Sequence, residues 1–382
     1  MITLGKPNRY LLFLGLVFVG LSCAPGSDSA DDPTGEQTDG ASTTPAPPPI
    51  PIPSAHKDRI DAVLKHVHQR DLLKDHGFWT IFHGVLGLGP DEATLLDPET
   101  KRKVNAVDYI ANGGYVNGLE FVPTADGVEV TTMPGSIIGQ GHQDDFVSVL
   151  VEWDFPRDRK FLVNGKRYTF DDFIQQAKAH ASVTDNEELS WTIVIISQIY
   201  GPHYRWKNGR GEELSVEDMP RYELNQPIAN SPVCGGTHRL SGFTWAYNLH
   251  RKAGGKKEGV WKDVADTIAD YENRARTYQN PDGSFSSRYL EGPGYDPDPQ
   301  VQIATTGHIL EWLALAMTDA QLKQPWVQNA ADALALMILK NSSGPLDSGG
   351  LYHAAHGLEL YRARLWGKPG ERGLLVPVPP ND

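Results

Sequence analysis

Cysteine is nearly absent: the 382-residue chain has two, Cys23 and Cys234. A disulfide-stapled scaffold is therefore excluded, and burial of apolar surface has to hold the body together. Clusters of basic residues are also missing. Lys and Arg number 35 against 48 Asp and Glu, for a net charge of −13. That balance argues against nucleic acid as a partner and against attraction to an anionic bilayer surface. Nucleotide fingerprints are lacking as well: G-L-G-P-D after Leu86 is not a phosphate loop. Clean two-residue alternation is scarce, which excludes a large half-buried sheet. The exceptions are residues 127–133 (G-V-E-V-T-T-M) and 160–168 (K-F-L-V-N-G-K-R-Y, with an N-G turn), both read as short hairpin pieces.

The first 54 residues do not read as fold. Lys6 and Arg9 precede an apolar run, residues 10–21, that ends in G-L-S-C at Cys23. A basic start, a short apolar stretch and a small residue before the cut predict a secretory leader, too short to span a bilayer. The cysteine at the cut resembles a bacterial lipobox, although Leu21 sits one place nearer the cysteine than that pattern has it. The resemblance implies removal of residues 1–22 and diacylation of Cys23, with the mature chain exported, membrane-anchored by lipid and facing the periplasm or cell exterior. Residues 23–54 are small, acidic and then proline-rich (P-A-P-P-P-I-P-I-P), a composition that cannot bury enough surface to fold. They predict a tether, semi-rigid where proline dominates. Residues 55–382 remain for one large domain, expected as a monomer.

That body reads as helices of two kinds. Segments 57–73, 169–180, 260–277 and 326–340 each carry one apolar stripe and a charged face, and predict outer helices. Segments 76–88, 142–153, 189–200, 237–252, 306–317 and 351–365 are apolar on most sides and predict inner ones. Outer helices alternating with inner ones predict an all-α fold, an (α/α) barrel or toroid of five or six hairpins with short β-hairpin insertions.

The inner segments share an oddity. C-G-G-T-H-R opens one of them at Cys234, with Thr237 a good N-cap, and four of the other five carry H-G-F-W, G-Q-G-H-Q-D-D, T-T-G-H and G-G-L-Y-H-A-A-H-G near their starts. Parallel inner helices would bring His76, His83, His142, His238, His308, His353 and His356 to one mouth. Each histidine alone reads as well as a loop-capping residue; together they predict a site. Cys234 and His238, four apart, have the chemistry to bind Zn²⁺ with Asp144 or a second histidine; Cys234 also reads as a low-pKa thiolate nucleophile aided by the helix start and Arg239, and most simply as a plain buried thiol. Asp144 or Asp145 and Glu311 are the acid–base candidates, with His238 and His308 as proton movers. Glu311 lies inside an apolar run, where a lone carboxylate is costly unless paired or used. Arg239 is a candidate clamp for a carboxylate substrate. Trp79, Trp191, Trp245 and Trp312 suit sugar stacking or core filling.

One segment, T-Y-Q-N-P-D-G-S-F-S-S, resembles the Q-x-x-D-G-S-[FW] repeat of the terpenoid cyclase and prenyltransferase toroids, through Gln279, Asp282, Gly283, Ser284 and Phe285. The resemblance covers roughly residues 234–365 and speaks for fold. The D-x-D-D acid motif of the cyclases is absent. Protein prenyltransferases of that fold bind zinc through Asp, Cys and His, which bears on Cys234 and His238. F-H-G at 82–84 and A-H-G at 355–357 resemble the lanthionine cyclase toroid faintly, without its cysteine motifs. Three functions follow as expectations: a carbohydrate-active hydrolase, lyase or epimerase; a zinc-dependent cyclase or transferase; or a non-catalytic module that binds a glycan or peptide.

Overall fold

The structure is a computed structural model that describes residues 52–184, 188–228, 234–367 and 377–379. The leader, lipidation at Cys23 and nearly all of the tether lie outside the described residues. No described helix is long and apolar enough to cross a membrane.

The fold is mostly α. Thirteen α-helices are described: α1 (His56–His68), α2 (Phe78–Leu88), α3 (Ala106–Ala111), α4 (Asp145–Glu152), α5 (Phe170–His180), α6 (Ser190–Tyr200), α7 (Asp218–Leu224), α8 (Thr237–Lys252), α9 (Val260–Thr277), α10 (Pro299–Ala316), α11 (Asp319–Leu322), α12 (Pro325–Lys340) and α13 (Ser348–Trp366). The six apolar segments become α2, α4, α6, α8, α10 and α13, and their contacts close on themselves. α2 packs on α4, α4 on α6, α6 on α8, α8 on α10, α10 on α13, and α13 back on α2. Amphipathic helices pack against members of this cycle. α1 lies against α13, α5 against α6, α9 against α8 and α12 against α10.

Several boundaries differ from the sequence reading, each for a local reason. α1 stops at His68, because Leu72–Leu73 leaves the helical path to pair in parallel with Leu95 and Leu96. α4 starts at Asp145, since Asp144 is left-handed at φ 65°. α10 starts seven residues before the expected 306. Pro299 stands in its first turn and the Asp298 carboxylate accepts the Gln300 N–H. Thr237 is not the cap of α8: Gly236 is, and the Thr237 hydroxyl donates to the Cys234 carbonyl at 2.9 Å. The hairpin at 160–168 forms as read, with Lys160–Val163 on Lys166–Thr169 and Asn164 and Gly165 both left-handed in the turn. Residues 127–133 supply only one strand, Val128–Val130, paired with Phe121–Pro123.

The D-G-S-F segment staples the α9–α10 loop to α12. The Gln279 amide donates to the carbonyls of Gly283 (2.9 Å) and Trp326 (2.8 Å), Asp282 accepts from the Ser284 N–H, and Phe285 is buried against Trp326.

α10 and α13 approach backbone to backbone. A Cβ on Gly307 would stand 2.8 Å from the Ala354 Cβ, and one on Gly357 would stand 2.8 Å from the Glu311 backbone nitrogen. The rigid partner at the second position leaves no room to relax. Gly357→Ala is therefore expected to cost about 1–3 kcal/mol through overpacking, read as a fall in the urea midpoint at unchanged m-value.

Candidate functional site

The close α10–α13 approach sets the geometry of the histidines. Glu311, one turn after His308, is reached by two side chains of α13: its Oε2 accepts the His353 Nδ1–H at 2.8 Å and its Oε1 accepts the His356 Nδ1–H at 2.6 Å. Burial pushes this carboxyl upward, but the two imidazoles outweigh it and hold Glu311 well below the ordinary carboxylate range. The His353 ring packs 4.0 Å from that of His308, and His238 lies 5.5 Å from each. His83 (5.2 Å from His353) and His142 (5.5 Å from His238) extend the cluster.

His308 was expected at a helix start; it lies ten residues into α10, so the helix dipole does not act on it strongly. Burial, aided by the neighbouring His353, lowers its pKa to about 3. Burial does the same to His238 and His83, both well below the ordinary value. These rings are neutral at physiological pH, the form that ligates metal. Two of them are held by backbone: His308 Nδ1 donates to the Ala304 carbonyl at 2.7 Å, and His83 Nδ1 to that of Trp79 at 2.7 Å. That bond fixes the tautomer and leaves His308 Nε2 a bare acceptor, buried and without a partner among the described residues.

Cys234 is brought beside His308 through a strained turn. Cys234 (φ 42°), Gly235 (φ 61°) and Gly236 (φ 86°) are left-handed in succession. A Cβ on Gly236 would lie 2.0 Å from the Ile228 carbonyl oxygen. Holding a non-glycine residue in this region costs about 1–2 kcal/mol, a kind of strain that clusters at functional sites. The outcome is a buried group in which donor atoms of Cys234, His238 and His308 lie within 4.8 Å of one another. Such a group can hold a metal ion.

Two cavities meet here. The outer, of about 630 Å³, is lined by Trp79, His83, Cys234, Tyr289, His308 and His353, with Asp296, Asp298, Gln300 and Asp347 among its polar residues. Among the described residues no Lys or Arg lines it. The inner, of about 40 Å³, is lined by Glu152, Trp191, His238, Ser241, Trp245, Glu311, His353 and His356 among aliphatic side chains.

Most of the other expected site residues have structural partners. His76 accepts the Leu73 N–H at 3.2 Å and stands apart from the cluster. Asp144 accepts from His180 (3.0 Å) and Thr192 (2.6 Å). The Arg239 guanidinium is taken by fully buried Glu223 at 2.5 Å, so it is not free to clamp a substrate. Trp312 is fully buried, its N–H on Thr244, and fills core. His142 pairs with Glu188 at 3.2 Å. Asp145 is buried, and burial, opposed by His142 and His353, raises its carboxyl to about 7; it lines neither cavity. Tyr289, Glu152 and Glu188 escaped the sequence reading. Only Glu152 left a trace there, a carboxylate closing the apolar run F-V-S-V-L-V-E.

Burial raises Glu152 to about 7 despite the attraction of His356. The native chain thus holds this proton where the unfolded chain, with an ordinary glutamate pKa of about 4.3, has released it. Its contribution is complete below about pH 4.3 and is lost as pH rises to about 7. Glu152→Gln is expected to flatten that decline and to raise stability at pH 8 by up to about 3 kcal/mol, measured by urea unfolding across pH 4–8.

Comparison of the chain with family models, with curated proteins and with solved structures returned no match.

Proposed function

We propose that this chain is a zinc-dependent hydrolase of the cell envelope, acting on an ester or amide carried by an uncharged glycan. The observation that carries it is the buried trio of Cys234, His238 and His308, with His308 Nε2 left bare by the backbone bond on its other nitrogen. Cysteine and histidine are zinc ligands, and three protein ligands leave a fourth position open, the pattern of catalytic rather than structural sites. A zinc ion there would polarise a carbonyl and lower the pKa of bound water to about 7.

The remaining residues take roles around it. The Ala304 carbonyl fixes the His308 tautomer. Glu311 orients His353, which faces the outer cavity beside the trio and can hold a substrate proton. Trp79 and Tyr289 offer sugar-stacking faces. The acidic lining, with no Lys or Arg, disfavours uronates and other anions and turns the carbohydrate reading toward neutral sugars. The architecture proposed is an (α/α)6 toroid, as in the terpenoid cyclase-like superfamily, supported by the closed cycle of inner-helix contacts and the outer helices against it. Export and anchoring through Cys23 rest on the leader and the lipobox resemblance.

The test is a panel of neutral acylated glycans incubated with the zinc-loaded full chain. Release of acid that a chelator abolishes and zinc restores supports the reading. Tight glycan binding without turnover would make the protein a binding module instead.

A further inference from the structure

The metal trio stands between the two cavities: Cys234 and His308 line the outer one, His238 the inner, and His353 both. Three residues lining the inner chamber carry buried ring nitrogens with no partner among the described residues: Trp191 Nε1, both nitrogens of His238, and His356 Nε2. All three residues are more than nine-tenths buried. Their hydrogen-bonding sense can be assigned. An indole nitrogen only donates. His356 gives its Nδ1–H to the Glu311 carboxylate, so its Nε2 only accepts. His238, neutral, offers one N–H and one lone pair; with the lone pair directed to the trio, the N–H remains. These three rings therefore present two donors and one acceptor, with Glu152 and Ser241 as further polar groups of the lining. A hydroxyl oxygen is the complement, with two lone pairs and one hydrogen. The volume of about 40 Å³ exceeds the roughly 10–15 Å³ that one water needs on this measure, and the walls of Leu86, Val149, Val194, Leu315 and Leu360 suit a carbon or two beside it.

We propose that the inner chamber is a binding site for a hydroxyl group, of water or of a small alcohol, that accepts from Trp191 and His238 and donates to His356. Where the chain holds zinc, which rests on the reading above, this hydroxyl is the outer partner of the His238 ligand, and the Glu311–His356 pair positions that ring through it. His356 is in this sense a positioning residue.

The test is a crystal structure of the metal-free full chain at a resolution that shows ordered water, with and without an ethylene glycol soak. The expected result is an oxygen within about 2.7–3.2 Å of Trp191 Nε1, a His238 ring nitrogen and His356 Nε2. A glycol oxygen at that point after soaking assigns an alcohol site; water retained there assigns a water site. A dry chamber overturns the proposal. His356→Leu is expected to empty the site and weaken zinc binding about 10–100-fold, measured by chelator competition, while His356→Gln, which keeps an acceptor, stays near wild type. Wild-type zinc affinity in a folded His356→Leu chain refutes the positioning role. A wild-type chain that binds no zinc removes the metalloenzyme reading alone, and the density still decides the chamber.

Discussion

Glu311→Ala is expected to destabilise the fold by about 3–5 kcal/mol, the cost of removing one partner from a buried charged network. Glu311 accepts from two histidines of α13 at once, and both rings are more than nine-tenths buried. Without the carboxylate, two buried N–H groups lose their charged acceptor. Glu311→Gln keeps one acceptor oxygen and is expected to cost less than half as much. Urea unfolding of the three chains at pH 7 measures both. Equal stability of the alanine variant and wild type would show that the two histidines find other partners.

His308→Ala is expected to lower zinc affinity by more than the roughly 100-fold that a lost outer-shell partner costs, with activity falling in parallel. Of the three proposed ligands His308 has the best-fixed ring: Nδ1 is bound to the Ala304 carbonyl, and Nε2 has no partner among the described residues. The substitution removes a metal-binding nitrogen while the helix backbone around it, buried against α13, has no reason to move. Cobalt gives an optical readout. The cobalt-loaded wild type should absorb through thiolate-to-metal charge transfer, Cys234→Ser should lose that band, and His308→Ala should require far more cobalt to reach it. A cobalt titration of His308→Ala that overlays wild type would exclude this nitrogen as a ligand.

Much of the frame was legible because it is local. Local signals placed α8 and α9, the glycines before Thr237 and apolar spacing for the first and an apolar stripe for the second, and the N-G turn placed the hairpin read at residues 160–168. The gathering of His83, His238, His308 and His353 was legible too, since one repeated oddity across several inner helices points to one place. What failed were pairings made over long sequence distances. Nothing near Arg239 in the chain reveals that Glu223 takes its guanidinium, and nothing near Asp144 reveals His180 and Thr192. The start of α10 was misplaced because Asp298 and Pro299 sit in a polar, proline-rich stretch whose capping role appears only once the helix is seen to continue from it. The role of Glu311 could be suspected from its apolar setting, but its two partners follow from the close backbone approach at Gly307 and Gly357, which periodicity does not encode.

The central claim is that Cys234, His238 and His308 hold one zinc ion. Elemental mass spectrometry of the purified full chain, after equilibration with zinc and removal of excess, tests it most directly. About one zinc per chain is expected, falling toward zero in Cys234→Ser, His238→Ala and His308→Ala when each variant keeps its helical circular dichroism. A folded wild-type chain that retains no zinc, or one whose zinc content is unchanged in all three variants, would contradict it.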